Sequence, residues 1–368
     1  MHLSDSSSSI RIATASRKAR GGYLITASSA ALVIVALVQA LDALQVFVIG
    51  FTNFRPLLAA YLLWCLAFAY AQVLSRGEAG SRALFILPAV FFTVAFVIFP
   101  TIFGLYIAFS NWNLSAFDGH YLNGFDNIRL MLADQYFWQA LGNMVWYVLA
   151  VFAQYIIAFG LATLLNSEIR ARKFFRVAFL MPFMMSPVAV SWMVGKSLME
   201  YRYGPIATMA RFLGFENPAF FATPWNARFS IIAMNAWVSI PFIMILLLAG
   251  LQALPKEILE AAKVDGANTF QSFKKIVFPL MLPVSITAIT LRIIGELKLA
   301  DIVITMTAGG PGGATDTVSS FIYREYRDRS NVGYATMLAE IYLILVIIFV
   351  SFVLVFANRI QAKYADGS

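Results

Sequence analysis

Residues 229–251 read FSIIAMNAWVSIPFIMILLLAGL, and three positions later comes Leu254-Pro255-Lys256-Glu257-Ile258-Leu259-Glu260-Ala261-Ala262-Lys263-Val264-Asp265-Gly266-Ala267-Asn268. The first stretch carries no Asp, Glu, Lys or Arg. About twenty such residues in a helix cross the roughly 30 Å hydrocarbon core of a bilayer. The second stretch is charged and belongs in water. An apolar run of bilayer length that ends in a charged loop predicts a membrane-spanning helix emerging on one side.

Seven more blocks of this kind occur, at about 23–41, 54–74, 84–110, 143–165, 175–197, 279–299 and 336–357. The block at 54–74 is the weakest; it begins near Arg55-Pro56, where Arg55 can snorkel to the interface and Pro56 suits a first helical turn. Hydrophobic residues make up 60% of the 368 and charged residues 12%, against roughly a quarter charged in soluble domains. Strand-like alternation over ten-residue segments is absent, which argues against a membrane barrel. The expectation is an all-α integral membrane protein of about eight transmembrane helices.

Positive residues in short loops mark the cytoplasmic side. Arg11, Arg17, Lys18 and Arg20 precede the first span, Arg76 and Arg82 follow the second, and Arg170, Arg172, Lys173 and Arg176 follow the fourth. Lys256, Lys263, Lys274 and Lys275 follow the sixth, and Arg359 and Lys363 follow the eighth. All fall on one side, which predicts cytoplasmic termini. The basic residues ahead of an apolar run ending Val38-Gln39-Ala40 also resemble a secretory leader, and its removal would leave the later topology unchanged. Residues 1–22, rich in Ser and Arg, read as a cytoplasmic tail. The outer stretches 111–142, 198–228 and 300–335 have room for short interfacial helices.

The net charge of +8 is spread over these loops rather than gathered into a stripe, which argues against nucleic acid as a partner. Membrane lipid is the expected surroundings. Cys65 is the single cysteine and His2 and His120 the only histidines, so no disulfide, thiolate cluster or histidine metal site is expected. Gly309-Gly310-Pro311-Gly312-Gly313 is not followed by the Lys-Ser/Thr of a phosphate-binding loop. No nucleophile–base grouping stands out, and no catalytic residue is assigned.

The loop after residue 251 reads as two short helices. Pro255 suits the start of the first, Glu257 and Glu260 favour its positive end, and Gly266 can adopt the left-handed conformation that stops it. Asn268 and Gln271 have the spacing of a capping box. Ile258, Leu259, Ala261, Ala262 and Val264 form an apolar face in a segment that should be in water. Such a face lies on the membrane surface or docks to a protein.

Glu260-Ala261-Ala262, then Gly266, Ile276, Phe278 and Pro279, resemble the signature of the binding-protein-dependent ABC-transporter permeases. The resemblance runs from about residue 84 to the C-terminus and is nearest to maltose-transporter-type permeases of the sugar class. Supporting segments are Gly124-Phe125-Asp126-Asn127, Arg172-Lys173-Phe174-Phe175-Arg176, Leu248-Ala249-Gly250-Leu251-Gln252 and Thr307-Ala308-Gly309-Gly310-Pro311. It implies a six-helix permease core at 84–368 with a cytoplasmic coupling loop at 253–279. Two additional N-terminal helices at 23–83 resemble the larger permease of that class in architecture only. It further implies a bacterial inner-membrane subunit that pairs with a second, different permease, two copies of an ABC ATPase and an extracytoplasmic solute-binding protein. ATP and magnesium would be held by the ATPases, with no cofactor in this chain. Glu260, Ala261, Asp265 and Gly266 are the expected ATPase-coupling residues.

Polar groups within the membrane are functional candidates, because facing lipid is costly. Asn235, Ser239 and Phe242 share one helical face, a combination that suits a sugar: amide and hydroxyl for its hydroxyl groups, a ring for its apolar face. The same Asn235 can instead bridge neighbouring helices. Around Asn235-Ala236-Trp237 the three residues align with solute-contacting positions of maltose-type permeases, although Ser239 replaces a glycine of that pattern. In the seventh span, Arg292 can pair with Glu296 and Lys298 with Asp301; alternatively Glu296 and Lys298 face the cavity. An unpaired Lys298 favours an anionic sugar, a paired one a neutral glycoside or polyol. An ion-coupled secondary transporter using Glu296, Lys298 and Asp301 is the alternative function. Gln154, Tyr155 and Glu340 read as helix-packing residues.

Overall fold

In the computed structural model, which describes residues 15–43, 53, 55–76, 78–117 and 119–365, seven helices are long and apolar enough to cross a membrane. They are Arg17–Asp42, Arg55–Arg76, Leu87–Ala108, Gln135–Asn166, Pro224–Ala253, Thr269–Leu297 and Val332–Gln361. One more crossing is assembled from two pieces, Arg172–Met184 and Pro187–Leu198, bent by 92°. Counted with this pair as the fifth, the described residues hold up to eight spans, and the chain is an all-α membrane protein. His2, Arg11, most of the expected tail and the side chain of Lys363 lie outside the described residues.

The fifth span departs from the expected uninterrupted helix over 175–197. Met185 is extended (φ −89°, ψ 150°) and Ser186 follows at ψ 125°. Pro187 drives this, because a residue before proline is pushed out of the α region and proline offers no N–H to continue the ladder. Pro182 weakens the preceding turn in the same way. Two other spans begin earlier than their apolar cores. The fourth starts at Gln135, where Asp134 accepts a hydrogen bond from the Tyr136 N–H at 2.9 Å. The sixth starts at Pro224, where Thr223 accepts from the Asn226 N–H at 3.2 Å. Hydropathy locates the part in lipid, whereas capping side chains set where the helix starts.

The connecting stretches carry short helices at Asp126–Ala133, Pro205–Phe212, Asp301–Met306 and Val318–Arg327, and a two-residue antiparallel pairing of Ser110–Asn111 with Tyr121–Leu122. The chain falls into two compact units, Met1–Phe103 and Gly104–Ser368. Motif similarity places a boundary before residue 84; the units divide within the third span. In the first unit the two N-terminal spans pack together, with the Trp64 indole N–H donating to Ser29 Oγ at 2.9 Å. The Tyr61 hydroxyl donates to the Phe91 carbonyl at 2.5 Å.

The second unit has three apolar clusters. Phe137, Met144, Ile293, Val318, Phe321 and Leu338 tie the fourth, seventh and eighth spans to the helix Val318–Arg327. Tyr147, Ile231, Met234, Ile302 and Met306 form a second group. Phe159, Leu165, Met244, Leu247, Leu251 and Met281 join the fourth, sixth and seventh spans near the charged loop. There a β-carbon on Gly250 would stand 2.9 Å from Met281 Cε and 3.0 Å from Val284 Cγ1. Close packing over small residues is the main source of helix association in lipid, where no hydrophobic drive separates one apolar surface from another. Gly250 therefore sets the approach of the sixth and seventh spans.

The seventh span stops at Leu297. The carbonyls left unpaired at its end are satisfied from elsewhere: Tyr342 and Ser319 hydroxyls donate to Leu297 O at 2.6 and 3.1 Å, and the Thr317 hydroxyl donates to Leu299 O. Helix ends inside a protein need such partners. This cap holds in place the last turn, which carries the unusual charges.

Candidate functional site

The loop after the sixth span is built almost wholly from local rules. A helix runs Lys256–Val264, with Pro255 before it and Asp265 after it. Gly266 sits at φ +76°. Its N–H donates to Lys263 O at 3.1 Å and that of Ala267 to Ala262 O at 3.0 Å, the paired bonds of a Schellman stop. A β-carbon on Gly266 would touch nothing within 4 Å, so the backbone conformation, not space, calls for glycine. Asn268 then accepts from the Gln271 N–H at 2.8 Å while Gln271 Oε1 accepts from the Asn268 N–H at 2.9 Å, completing the capping box.

The helix stop and the capping box of this loop are satisfied locally, yet most of its apolar face is not covered. Ile258, Ala261 and Val264, three residues apart, are exposed, Val264 to 88%. Leu259 is half-buried, and Ala262 alone of the expected face is turned inward and buried. Glu260, Asp265 and Gly266 are exposed beside this ridge. The four expected coupling residues are thus brought together around one turn of helix and its stop.

In the membrane, the structure gathers Asn235 and Glu296 with two residues from the fourth and seventh spans. Asn235 Nδ2 donates to both Glu296 oxygens at 2.8 Å. Gln154 Nε2 donates to Oε1 at 3.2 Å, and Arg292 Nη2 does so at 2.5 Å. Arg292 Nε in turn donates to Gln154 Oε1 at 2.8 Å. Glu296 has no exposed surface, and Asn235, Gln154 and Arg292 are buried. A carboxylate taken out of water is costly unless paired and hydrogen-bonded; here one guanidinium and two amides surround it. The arrangement pins three helices to each other. Ser239 forms its rim, half-buried, its hydroxyl donating to Asn235 Oδ1 at 3.3 Å.

Phe242 and Lys298 stand apart from this network. The Phe242 ring stacks on Phe183 of the fifth span, with centroids 5.7 Å apart and planes at 26°. Lys298 lies just beyond the helix end and is exposed, as is Asp301. The expected Arg292–Glu296 pair forms; no ion pair within 4.0 Å joins Lys298 to Asp301 among the described residues. The physical reason is that the helix breaks between them: Lys298 to Ala300 are non-helical and Asp301 opens a new helix, so the i,i+3 geometry assumed for the pair is lost.

A third polar assembly went unnoticed in the sequence. The Gly/Pro-rich loop 307–317, buried at Gly309 and from Ala314 to Thr317, is strapped to the fourth and sixth spans. Asn143 Nδ2 donates to the carbonyls of Gly313 and Asp316 at 2.9 Å each, and the Tyr147 hydroxyl to Thr315 O at 2.9 Å. Arg228 Nε donates to Ala314 O at 2.7 Å and Nη2 to Asn143 Oδ1 at 2.9 Å. Asp316 accepts from Ser320 Oγ at 2.9 Å and pairs with Arg324. Burial raises the Asp316 carboxyl above its ordinary pKa, and Arg324 opposes this. Asn143 and Tyr147, four residues apart in an apolar block, were the visible signal of a polar face there.

A profile of the family described as "Binding-protein-dependent transport system inner membrane component" matches residues 154–362, more than half of the chain. The trehalose/maltose transport system permease protein MalF of Thermococcus litoralis is 30% identical over 279 residues, covering 76% of this chain and 93% of that protein. The sulfoquinovosyl glycerol transport system permease protein SmoG of Agrobacterium fabrum is 30% identical over 274 residues, covering 74% and 88%. Among solved structures, a chain of a bacterial ABC transporter involved in the import of the acidic polysaccharide alginate superposes with a TM-score of 0.66 at 22% identity, covering 77% of this chain and 98% of that one. That likeness establishes the fold. With the spans, the capped loop and the family profile in agreement, the chain belongs to the binding-protein-dependent transport system inner membrane components.

Proposed function

We propose that this chain is the permease subunit of an ATP-driven importer that moves a carbohydrate or carbohydrate-like solute inward. The observation that carries the reading is the Lys256–Gly266 segment, whose C-terminal end is closed by the Gly266 stop while its apolar ridge of Ile258, Ala261 and Val264 stays in the open. A rigid, exposed apolar turn flanked by Glu260 and Asp265 suits docking into a cleft of an ATPase subunit. Two ATPase copies would hold ATP and magnesium, and this chain would hydrolyse nothing itself. A second, different permease subunit would complete the pathway, and a solute-binding protein outside the cell would deliver the cargo. The topology that fits is a bacterial inner-membrane protein with both termini in the cytoplasm.

In this reading, closure of the ATPases on ATP moves the Lys256–Gly266 helix. The bonds at Gly266 and Asn268 pass that movement to the seventh span, and the Glu296 network carries it to the fourth and sixth. Ser239 and Phe242, half-buried, are the residues of the expected site best placed to meet solute, with Asn235 packed against Ser239. The relatives are named for trehalose and maltose and for a sulfonated glycoside, which supports a sugar, glycoside or polyol cargo. Lys298, exposed and without an ion pair to Asp301, supports an anionic sugar among these.

Uptake into proteoliposomes holding the complete complex tests the reading. Import that needs ATP and the binding protein supports it; import driven by a proton or sodium gradient without the ATPase overturns it. The ion-coupled alternative is not favoured, because Glu296 is enclosed by Arg292, Gln154 and Asn235 while Lys298 and Asp301 lie beyond the helix end. Identifying the binding protein's ligand would name the solute.

A further inference from the structure

Two of the segments singled out in the sequence meet at one point. Arg172 and Arg176, one turn apart at the start of the fifth span, both face Gln252 at the end of the sixth. With the Gln252 amide oxygen turned toward them, it accepts from Arg172 Nη2 at 3.0 Å and from Arg176 Nη2 at 3.3 Å. Arg172 and Arg176 are half-buried and Gln252 is exposed, and the Nε atom of each arginine is buried with no hydrogen-bond partner. Among the described residues no carboxylate lies within 4.0 Å of either. Two like charges therefore converge on a single neutral oxygen, with donors to spare. Like charges held this close repel, and unpaired buried donors are costly. The arrangement is complete only with an anion.

The surroundings identify its source. On the opposite face of the same helix, Phe174, Val177, Met181 and Met184 follow one another at helical spacing and are exposed by 68, 63, 58 and 81%. An exposed apolar ridge on a span-forming helix suits acyl chains, which would put the first turn, with both arginines, at the level of the phosphates. Guanidinium groups match phosphate oxygens in geometry as well as charge. We infer that Arg172, Arg176 and Gln252 form a binding site for the phosphate of an anionic phospholipid, seated between the fifth and sixth spans.

The test uses the full-length permease in its complex, carried in nanodiscs of phosphatidylcholine containing a minor share of phosphatidylglycerol, with retained lipid counted by native mass spectrometry. The wild type should retain phosphatidylglycerol in preference to phosphatidylcholine, and R172Q/R176Q should reduce that retention about tenfold, the loss expected for charge-assisted hydrogen bonds. R172K/R176K should keep part of it. Arg359→Gln, an exposed cation at the end of the eighth span, should leave it unchanged. A second measurement needs no variant: adding phosphatidylglycerol to phosphatidylcholine nanodiscs should raise the unfolding temperature of the wild type, and millimolar inorganic phosphate should not. Equal retention by wild type and R172Q/R176Q, an equal loss in Arg359→Gln, or displacement by free phosphate would each overturn the proposal. So would a cross-link from Arg172 or Arg176 to an ATPase carboxylate.

Discussion

The Glu296 network and the Lys256–Gly266 loop are opposite solutions in one chain. Inside the membrane, a charged pair on the seventh span draws its partners from the fourth and sixth and is buried. In the charged loop, every capping bond is local, and the apolar ridge of Ile258, Ala261 and Val264 has no cover. The first assembly is closed on itself, as a structural element must be in a medium that offers no competing hydrogen bonds. The second leaves apolar surface that, in the function proposed above, an ATPase subunit covers. A polar group in lipid is thus not by itself a sign of solute contact, and an apolar group in water is the stronger pointer to a partner.

Substitutions at the two regions should separate them, with stability of the permease as one readout and transport as the other. Arg292→Ala carries the largest expected effect: it leaves Glu296 charged and buried, a loss of about 3–5 kcal/mol. Thermal unfolding in detergent should fall accordingly, and near-wild-type stability would mean that water reaches Glu296 and that the network lines a cavity. Gly266→Pro comes next. Proline cannot adopt φ +76° and removes the N–H bonded to Lys263, a local cost of about 3 kcal/mol. It should break coupling, read as loss of solute-stimulated ATP hydrolysis, while the membrane-spanning part unfolds as in the wild type.

Asn235→Ala takes two donors from Glu296 and should cost about 1–3 kcal/mol. If its transport defect exceeds the loss of folded protein, Asn235 also serves the solute; if the two fall in step, its role is structural. Val264→Asp is the smallest in stability, within about 0.5 kcal/mol for an exposed site. It should nevertheless abolish co-purification with the ATPase. Retention of the ATPase would remove the apolar ridge from the docking surface.

The regions also differ in how much of them could be read from residues alone. The helix start near Pro255, the stop at Gly266 and the Asn268–Gln271 box are short-range features, and each is present in the structure. Arg292–Glu296 was likewise readable as an i,i+4 pair. Its remaining partners were not, because Asn235 is 61 residues from Glu296 and Gln154 is 142 away. Gln154 read as a helix-packing residue; nothing in its neighbours tied it to a carboxylate. The bend of the fifth span had its signal in Pro182 and Pro187, but apolarity across 175–197 masked it. The supposed Lys298–Asp301 pair failed because spacing was counted along a helix that ends at Leu297.

The sequence by itself determined that the chain crosses a membrane as helices, where the charged loops fall and how the Gly266 turn is shaped. These follow from hydrophobic length and from backbone rules acting over a few residues. Only the tertiary structure decided that Asn235 and Glu296 are buried against each other, that Lys298 does not pair with Asp301, and that loop 307–317 is strapped to Asn143, Tyr147 and Arg228. In lipid a polar side chain takes whichever partner the packing of distant helices brings within about 3 Å, and one-dimensional spacing carries no record of that choice.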